Sequence, residues 1–336
     1  MRAMLLKAIV SLDQVDAPLE LVYLPTPNPR HREVLVRITA CGVCHTELDE
    51  IEGRTAPPNL PVVLGHEVVG HVAELGEGVE RLKVGDRVGI GWIHSSTGTT
   101  CENLSPEFRA TGRDVNGGYA EYLTVPEQYA YPIPDGFTDV QAAPLLCAGA
   151  IGYRALSLAN INDGDRLGLT GFGGSAHLVL PLARFLYPNC KVYVFARNAM
   201  TREFAKHLGA HWTGDTTDRA PEPLRAIIDT TPAWKPVVEA LENLQPGGRL
   251  VINAIRKEDI DKEYLLNISY HKHLWMEREI KSVANITHHD ITQFLAIAAA
   301  MRICPEVTTY PLEEANKALL DLKHGNVRGA KVLVVS

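Results

Sequence analysis

Seven consecutive residues, Cys41 to Glu47, concentrate side chains that can do chemistry: two thiols, an imidazole, a hydroxyl and a carboxylate. Cys41 and Cys44 have the spacing of a redox pair or of half a zinc knuckle. His66 and Cys147 add an imidazole and a thiol elsewhere in the chain. Cys44, His66 and Cys147 would together make a Cys₂His set with a fourth position open, and three protein ligands plus water is the arrangement of a catalytic zinc ion. The pattern alone leaves the redox pair open as well.

The segment before these residues indicates the element that must position them. Residues 33–40 alternate β-branched and polar side chains, which is typical of a half-buried strand. We therefore predict that the polar cluster lies where a strand runs into a turn, a common place for functional side chains held by a rigid scaffold. Short apolar runs broken by glycine and proline continue to about residue 150 and predict an all-β half.

The pattern changes after about residue 150. Buried strands then alternate with helices, which predicts a doubly wound parallel α/β sheet. A last strand at 330–335 follows this block and is expected to return to the first domain. We therefore predict a discontinuous domain of residues 1–150 and 287–336, and a dinucleotide-binding domain of residues 151–286.

A glycine-rich turn follows the first strand of the α/β domain and opens a helix. Residues 171–176, Gly-Phe-Gly-Gly-Ser-Ala, fit the dinucleotide fingerprint G-x-G-x-x-A. Glycine lets the backbone approach a pyrophosphate, whose charge the helix N-terminus favours. A plain tight turn is the alternative interpretation. The predicted cofactor contacts here are Gly171, Gly173, Gly174, Ser175 and Ala176.

The end of the next strand distinguishes the two nicotinamide cofactors. An acidic residue there would bind the ribose diol of NAD, but the strand ends in Ala196, Arg197 and Asn198. The Arg197 guanidinium can pair with a 2′-phosphate and Ala196 leaves room for it, although a solvated surface arginine is the alternative. We predict a preference for NADP(H) over NAD(H), with Asn198 and Ile252 as further cofactor contacts.

The composition excludes several classes of function. The chain has 336 residues, 46% apolar and 22% charged, as in soluble globular proteins, and this length favours two domains. A net charge of −7 and a pI near 6.0 argue against nucleic acid or an anionic membrane as partner. There is no run of about 18 apolar residues and no signal-peptide pattern. Six cysteines are too few for a disulfide scaffold, so we expect a cytoplasmic protein.

Seven ordered segments resemble the medium-chain, zinc-dependent alcohol dehydrogenases along nearly the whole chain. The segments are residues 41–47, 65–70 (Gly-His-Glu-Val-Val-Gly), 84–88 (Val-Gly-Asp-Arg-Val), 117–122 (Gly-Gly-Tyr-Ala-Glu-Tyr), 143–149 (Ala-Pro-Leu-Leu-Cys-Ala-Gly), 171–177 and 247–249 (Gly-Gly-Arg). The resemblance implies a GroES-like catalytic domain and a Rossmann cofactor domain. It also implies an enzyme that interconverts a small-molecule alcohol and its aldehyde or ketone by hydride transfer with a nicotinamide cofactor.

The resemblance also assigns the metal site. It implies that Cys44, His66 and Cys147 bind a catalytic zinc ion and that Cys41 is a buried neighbour. Zinc, a Lewis acid, would lower the pKa of a bound alcohol. Glu67, adjacent to a ligand, would be a supporting carboxylate that approaches the metal transiently.

Other residues of the same segments match supporting positions of the family. Glu47 matches the acid that orients the ligand histidine, as such partners usually do. Thr46 matches the hydroxyl that carries the alcohol proton away from the metal. His45 matches a position that contacts the cofactor pyrophosphate, with a solvated loop residue as the alternative. For Glu47 and Glu67 the alternative is an ordinary turn carboxylate.

One departure from the family concerns the proton relay. Many relatives end this relay with a histidine three residues after the hydroxyl residue, and this chain has Asp49 there. Asp49 could accept the proton, or the relay could run to water. We favour water.

A second departure concerns the structural zinc of the family. Many members carry a lobe with four closely spaced cysteines, but the corresponding stretch, residues 94–106, keeps only Cys101. Ser105 stands where the last cysteine of the motif is expected. One thiol cannot hold a tetrahedral zinc ion, so we predict one catalytic zinc per chain and no structural zinc. Because the lobe often lies near subunit contacts in relatives, a homodimer and a homotetramer both remain open.

The C-terminal segment offers one further cofactor contact. Relatives often supply a phosphate-binding arginine at the position of Ala330; Arg328 lies two residues earlier and is predicted as a cofactor contact, with a surface arginine as the alternative.

Two other functions remain open. A zinc-free quinone or enoyl reductase on the same fold would not need the intact metal set. A non-catalytic dinucleotide-binding redox sensor would use Cys41 and Cys44, but Thr46 and the open metal position favour an enzyme.

Overall fold

The computed structural model describes residues 1–173, 176–325 and 329–336. These residues form two compact units: a discontinuous unit of Met1–Ala150 with Asn285–Ser336, and an α/β unit of Ile151–Ala284. Three predicted cofactor contacts, Gly174, Ser175 and Arg328, lie outside the described residues.

The elements of the described residues follow in chain order. The strands are β1 (Arg2–Leu6), β2 (Leu19–Tyr23), β3 (Glu33–Val43), β4 (Val62–Val63), β5 (Glu67–Leu75), β6 (Arg87–Ile90), β7 (Ile93–Ser95), β8 (Arg109–Ala110), β9 (Tyr122–Pro126), β10 (Tyr131–Pro132), β11 (Arg166–Thr170), β12 (Lys191–Phe195), β13 (Trp212–Gly214), β14 (Leu224–Asp229), β15 (Leu244–Ile252), β16 (Glu279–Ser282), β17 (Val307–Pro311) and β18 (Ala330–Val334). The α-helices are α1 (His45–Ile51), α2 (Asp139–Ala142), α3 (Ala148–Ala159), α4 (Ala176–Leu186), α5 (Ala199–His207), α6 (Lys235–Leu241), α7 (His288–Met301) and α8 (Ala315–Lys323).

Strand β3 is central to the discontinuous unit. The larger sheet of this unit has the order β10-β6-β5-β3-β18-β17 among the described residues, and β9 also pairs with β3. Strand β9 pairs with residues 33–37 of β3 and β18 with residues 40–43, both antiparallel. Val34, Val36 and Ile38 alternate along β3 and are buried. Strand β5 pairs with residues 34–42 along the other edge, so β3 is paired on both edges to within two residues of Cys44.

A helix occupies the place of the turn that the sequence predicts after β3, so that prediction is wrong. Strand β3 runs to Val43, and Cys44 has extended backbone immediately before α1 begins at His45. The Glu47 carboxylate accepts a hydrogen bond from the backbone nitrogen of Cys44 at 2.8 Å, as the acid of a capping box does. Cysteine is not one of the usual N-cap residues, which is why the pattern did not indicate a helix start.

The α/β unit confirms the predicted doubly wound parallel sheet. Its described strands have the order β13-β12-β11-β14-β15-β16, and every neighbouring pair is parallel. This order reverses between β11 and β14, the switch point at which such sheets bind dinucleotides. At their carboxyl ends, Thr170 of β11 lies opposite Asp229 of β14.

The helical stretch Asp139–Ala159 includes the last cysteine of the predicted metal set. It consists of α2, a 3₁₀ turn at Ala143–Leu146, and α3, and Cys147 lies at the break before α3. By length and composition the stretch could cross a bilayer, but 61% of its apolar window is buried inside the structure. That degree of burial is typical of a core helix, which passes the same test of length and composition.

Candidate active site

The structure brings the predicted metal ligands together with Glu67. One ligand atom each of Cys44, His66, Glu67 and Cys147 lies within 4.8 Å of the others. His66 is 1% and Glu67 4% exposed, and the two cysteines are partly buried. Four residues from distant parts of the sequence therefore form one compact donor cluster.

Cys41, the other thiol of the opening motif, is not a member of this cluster. It is wholly buried in β3, and its thiol faces the carbonyl of Gly42 at 3.6 Å. Burial raises the pKa of the Cys41 thiol well above its usual range. Cys44 belongs to the donor cluster and Cys41 does not, so the two thiols do not act as a redox pair or as half of a zinc knuckle at this site.

His66 is held by Glu47 in the orientation of a metal ligand. The Nδ1 atom of His66 lies 2.6 Å from Oε1 of Glu47, and both side chains are almost wholly buried. The Nε2 atom of His66 is buried and has no hydrogen-bond partner among the described residues. A carboxylate on one ring nitrogen fixes the tautomer and directs the other nitrogen to a metal. Two thiols and an unpartnered imidazole nitrogen are donors that suit zinc, so the residues fit the ion.

The two thiols of the cluster interact directly. Cys44 Sγ lies 3.9 Å from Cys147 Sγ. Hydrogen bonding from the Cys147 thiol holds the pKa of Cys44 well below its usual range despite burial, and His66 contributes to the same effect. The same hydrogen bond, with burial, raises the pKa of Cys147 well above its usual range. Cys44 is therefore the thiol of the pair that ionises more readily, and the thiolate is the form in which cysteine binds a metal.

Burial and charge also shift the other titratable groups of the site. Burial lowers the pKa of His66, but the negative charges of Glu47 and Cys44 beside it raise the pKa well above the usual range. Burial raises the pKa of the Glu47 and Glu67 carboxyls. Several acidic groups thus lie close together away from water, an arrangement that a divalent cation would stabilise.

Glu67 reaches the cluster because residue 42 is glycine. Gly42 of β3 lies directly opposite Glu67 of β5 in the antiparallel pair. A Cβ atom at position 42 would stand 1.8 Å from the Oε2 atom of Glu67. The absent side chain therefore makes the space that the Glu67 carboxylate occupies.

Thr46 and two aromatic residues border the cluster. The hydroxyl of Thr46 lies 3.6 Å from Cys44 Sγ, and the residue is 8% exposed. The ring of Trp92 lies 6.2 Å from that of His66 and 5.9 Å from that of Phe108. A hydroxyl and aromatic rings next to a donor cluster are suitable surroundings for a small alcohol. His45, the first residue of α1, is exposed.

Asp49 is engaged in an ion pair that the sequence did not predict. Its Oδ1 atom accepts a hydrogen bond from Arg54 Nε at 2.6 Å, and its side chain is 2% exposed. Arg54 also pairs with Glu52 at 2.6 Å. No local pattern marks Arg54 as a partner, because it lies in the loop that follows α1.

A buried carboxylate organises the shortened lobe. Glu102 is wholly buried and accepts hydrogen bonds from Gly98 N at 3.0 Å and from the Tyr129 hydroxyl at 2.8 Å. It also accepts two from His288, at 2.6 and 2.8 Å. Cys101, the remaining cysteine of the lobe, is exposed. The sequence did not single out Glu102, whose partners are distant along the chain.

The described part of the dinucleotide motif has the expected conformation. Gly171 has a φ of +77°, which favours glycine, and α4 begins at Ala176. Ala196 is buried at the end of β12, and Arg197 and Asn198 after it are exposed. Ile252, the other predicted contact in this unit, ends β15 and lies opposite Asp229.

Comparisons with known proteins agree with this architecture. Residues 30–135 match the alcohol dehydrogenase GroES-like domain. A protein of Mycobacterium tuberculosis named probable alcohol dehydrogenase AdhA is 43% identical over 331 residues, covering 95% of this chain and 93% of that protein. The alcohol dehydrogenase structure of Aeropyrum pernix is 25% identical with a TM-score of 0.83, covering 99% of this chain and 100% of that one. The fold also resembles a structure of CAD from Helicobacter pylori complexed with NADP(H), with a TM-score of 0.83, 23% identity and 99% coverage of both chains.

These likenesses establish what the segments of the sequence implied. The match to the GroES-like domain confirms the predicted class of the discontinuous unit, and the parallel sheet confirms that of the α/β unit. A relative at 43% identity along nearly its whole length shows common family membership and an oxidoreductase. The chain belongs to the medium-chain, zinc-dependent alcohol dehydrogenase family.

Proposed function

We propose that this oxidoreductase interconverts a small-molecule alcohol and its aldehyde or ketone by hydride transfer with NADP(H), using one zinc ion held by Cys44, His66 and Cys147. The observation that carries the proposal is the buried Nε2 atom of His66, which has no partner among the described residues and belongs to the same cluster as both thiols. A redox sensor has no need of this nitrogen, and neither does a zinc-free reductase.

When bound, zinc supplies a Lewis acid that favours the deprotonated alcohol or polarises the carbonyl of the product. The chain's own residues prepare the site for this chemistry. Glu47 keeps Nδ1 of His66 engaged at 2.6 Å, so the imidazole remains in one tautomer. Glu67 adds a carboxylate to the donor set, where it would be within reach of a bound metal and would balance part of its charge.

The proton of the alcohol leaves through Thr46 in this proposal. Its hydroxyl, 3.6 Å from Cys44 Sγ, can accept one proton and donate another. Asp49 is occupied by Arg54 at 2.6 Å. We therefore propose that the path continues from Thr46 to water.

The cofactor preference rests on the residues after β12. Ala196 and exposed Arg197 stand where an acidic residue would bind the ribose diol of NAD. A guanidinium forms strong, directed bonds to phosphate. We propose NADP(H) as the preferred cofactor.

A panel of primary and secondary alcohols, aldehydes and ketones, assayed with NADP(H) and NAD(H), tests the proposal. The expected result is catalytic efficiency that is higher with NADP(H), disappears after chelation and returns with zinc. Cys44→Ser should abolish both metal binding and turnover, whereas Cys101→Ser, outside the donor cluster, should affect neither. Full activity in the metal-free enzyme would support a zinc-free reductase instead. Binding of NADPH without turnover of any substrate would support a sensor.

A further inference from the structure

The α/β unit contains a buried ion pair that the proposed reaction does not use. Lys257 and Asp229 are in direct contact through Nζ and Oδ2, and their side chains are 7% and 0% exposed. Buried charges need partners, and a hydrophobic pair of similar volume often serves stability as well or better. The place of this pair in the sheet indicates what else it does.

Asp229 lies at the switch point of the sheet. It ends β14 opposite Thr170, the last residue of β11. Its Oδ1 atom accepts hydrogen bonds from the hydroxyls of Thr170 at 2.6 Å and of Thr231 at 2.8 Å. One carboxylate therefore ties together the carboxyl ends of the two strands between which such sheets bind dinucleotides.

Lys257 has no donor left over for a ligand. Its ammonium donates to Asp229, to the Thr231 carbonyl at 2.7 Å and to the Ala233 carbonyl at 3.1 Å. A lysine ammonium carries three protons, and these three acceptors match them. Lys257 therefore fixes the course of residues 229–233, the loop that leaves β14, and does not itself contact a cofactor.

That loop packs against the first glycine of the dinucleotide motif. A Cβ atom on Gly171 would lie 2.8 Å from Cγ2 of Thr231 and 2.9 Å from Oγ1 of Thr230. The backbone nitrogen of Thr230 also donates to the Thr170 carbonyl at 2.9 Å. A shift of the loop would therefore displace the turn at Gly171, where backbone must approach the pyrophosphate.

We infer that Lys257, acting through Asp229, is a positioning residue for the nicotinamide dinucleotide. It holds the loop 229–233 against Gly171, so that the turn is formed before the cofactor arrives. The inference rests on the proposed function, because it assumes that this sheet binds NADP(H). A binding turn that is already ordered raises the affinity for the ligand, because less conformational entropy is lost when the ligand binds.

The test measures NADPH binding by fluorescence titration of the zinc-loaded enzyme. Lys257→Met is expected to raise the dissociation constant about 10-fold or more, with zinc content unchanged and kcat at saturating cofactor close to wild type. Lys262→Met is the matched control, because Lys262 is exposed and pairs with exposed Asp259 at 3.2 Å. If Lys257→Met does not fold, Lys257→Met with Asp229→Asn removes both charges and keeps an acceptor for the two threonine hydroxyls.

Each outcome decides the matter. A folded variant of lower stability that binds NADPH as tightly as wild type would show that the pair serves stability alone, and would overturn the inference. The same holds if the double variant binds normally. If wild type binds neither NADPH nor NADH, the proposed function fails, and the inference fails with it. Binding by wild type that weakens in the lysine variant, with the metal retained, supports both.

Discussion

Glu102 and His288 are joined by two hydrogen bonds although 186 residues separate them. The Glu102 carboxylate accepts from the backbone nitrogen of His288 at 2.6 Å and from its Nδ1 atom at 2.8 Å. His288 is the first residue of α7, and an anion at a helix N-terminus is stabilising. The short lobe is thus attached to α7 by one buried acid.

Replacement of this acid should loosen the lobe without touching the metal cluster. Glu102→Gln replaces one carboxylate oxygen with an NH₂ group. The hydrogens of this group then face N–H or O–H donors that have lost their acceptor. We expect a loss of about 2–3 kcal/mol in stability, typical of bonds to a charged group. Native-state hydrogen exchange should show faster exchange at Gly98 and His288, whose amides donate to Glu102. The matched variant is Glu107→Gln, immediately after the lobe and exposed; equal effects of the two variants would contradict the prediction.

The metal content of the purified enzyme should be about one zinc ion per chain, because the described residues offer one compact donor cluster. Elemental analysis checks this directly. Cys147→Ser should lower the ratio towards zero, while Cys101→Ser should leave it unchanged. A ratio of two that falls to one in Cys101→Ser would mean that the lobe binds a metal after all.

Gly42→Ala should act on catalysis through Glu67. The new Cβ atom needs the space of Oε2, so the carboxylate must leave the cluster. We expect kcat to fall about 10- to 100-fold, the usual range for groups that support a metal site, with zinc retained. The measurement is a double-mutant cycle with Glu67→Gly, because the Cβ atom of Glu67 would also lie only 2.8 Å from the new Cβ atom. The two losses should not add, because both variants remove the same group; additive losses would show that Gly42 acts independently of Glu67.

Arg197→Ala should weaken NADP(H) selectively. Loss of one charge-assisted bond to the 2′-phosphate corresponds to a rise in KM of about 10- to 100-fold, and KM for NAD(H) should not change. Ala196→Asp, at the buried neighbouring position, should disfavour NADP(H) further by charge repulsion and improve NAD(H). The proposed role of Arg197 in NADP(H) preference would be contradicted if Arg197→Ala raised both KM values equally. The same holds if wild type used the two cofactors with the same efficiency.

Asp49→Asn should leave the pH profile of turnover in place. Asp49 is paired with Arg54 at 2.6 Å, and the proposed proton path runs from Thr46 to water. A cost in stability is expected because Arg54 loses its ion pair with Asp49 and keeps only the one with Glu52, and Arg54→Met should show a similar cost. A lower kcat together with a displaced pH profile in Asp49→Asn alone would identify Asp49 as the proton acceptor.

The sequence indicated the metal cluster better than the contacts that support it. Cys44, His66 and Cys147 were predicted from residue type together with the resemblance of their segments to the zinc-dependent family, and the structure brings them together. The doubly wound sheet followed from alternating strands and helices. Both conclusions depend on local patterns or residue chemistry.

What could not be predicted depends on distant partners. Lys257 meets Asp229 across 28 residues, and no periodicity or spacing marks either residue. The start of α1 was missed because a cysteine holds the N-cap position, where the usual signal is a hydroxyl or a carboxylate. In each case the determining contact forms only once the chain has folded.

The pairing of strand β18 affects when the metal site can form during synthesis of the chain. It pairs with residues 40–43 of β3, so the framework before Cys44 lacks one neighbour until residues 330–334 have been synthesised. All three proposed zinc ligands emerge earlier, and at about 5–20 residues per second the ribosome needs on the order of 10 to 40 s to pass from Cys147 to β18. During that interval the whole α/β unit, Ile151–Ala284, is synthesised. Stable metal loading should therefore follow translation, when the sheet around β3 is complete.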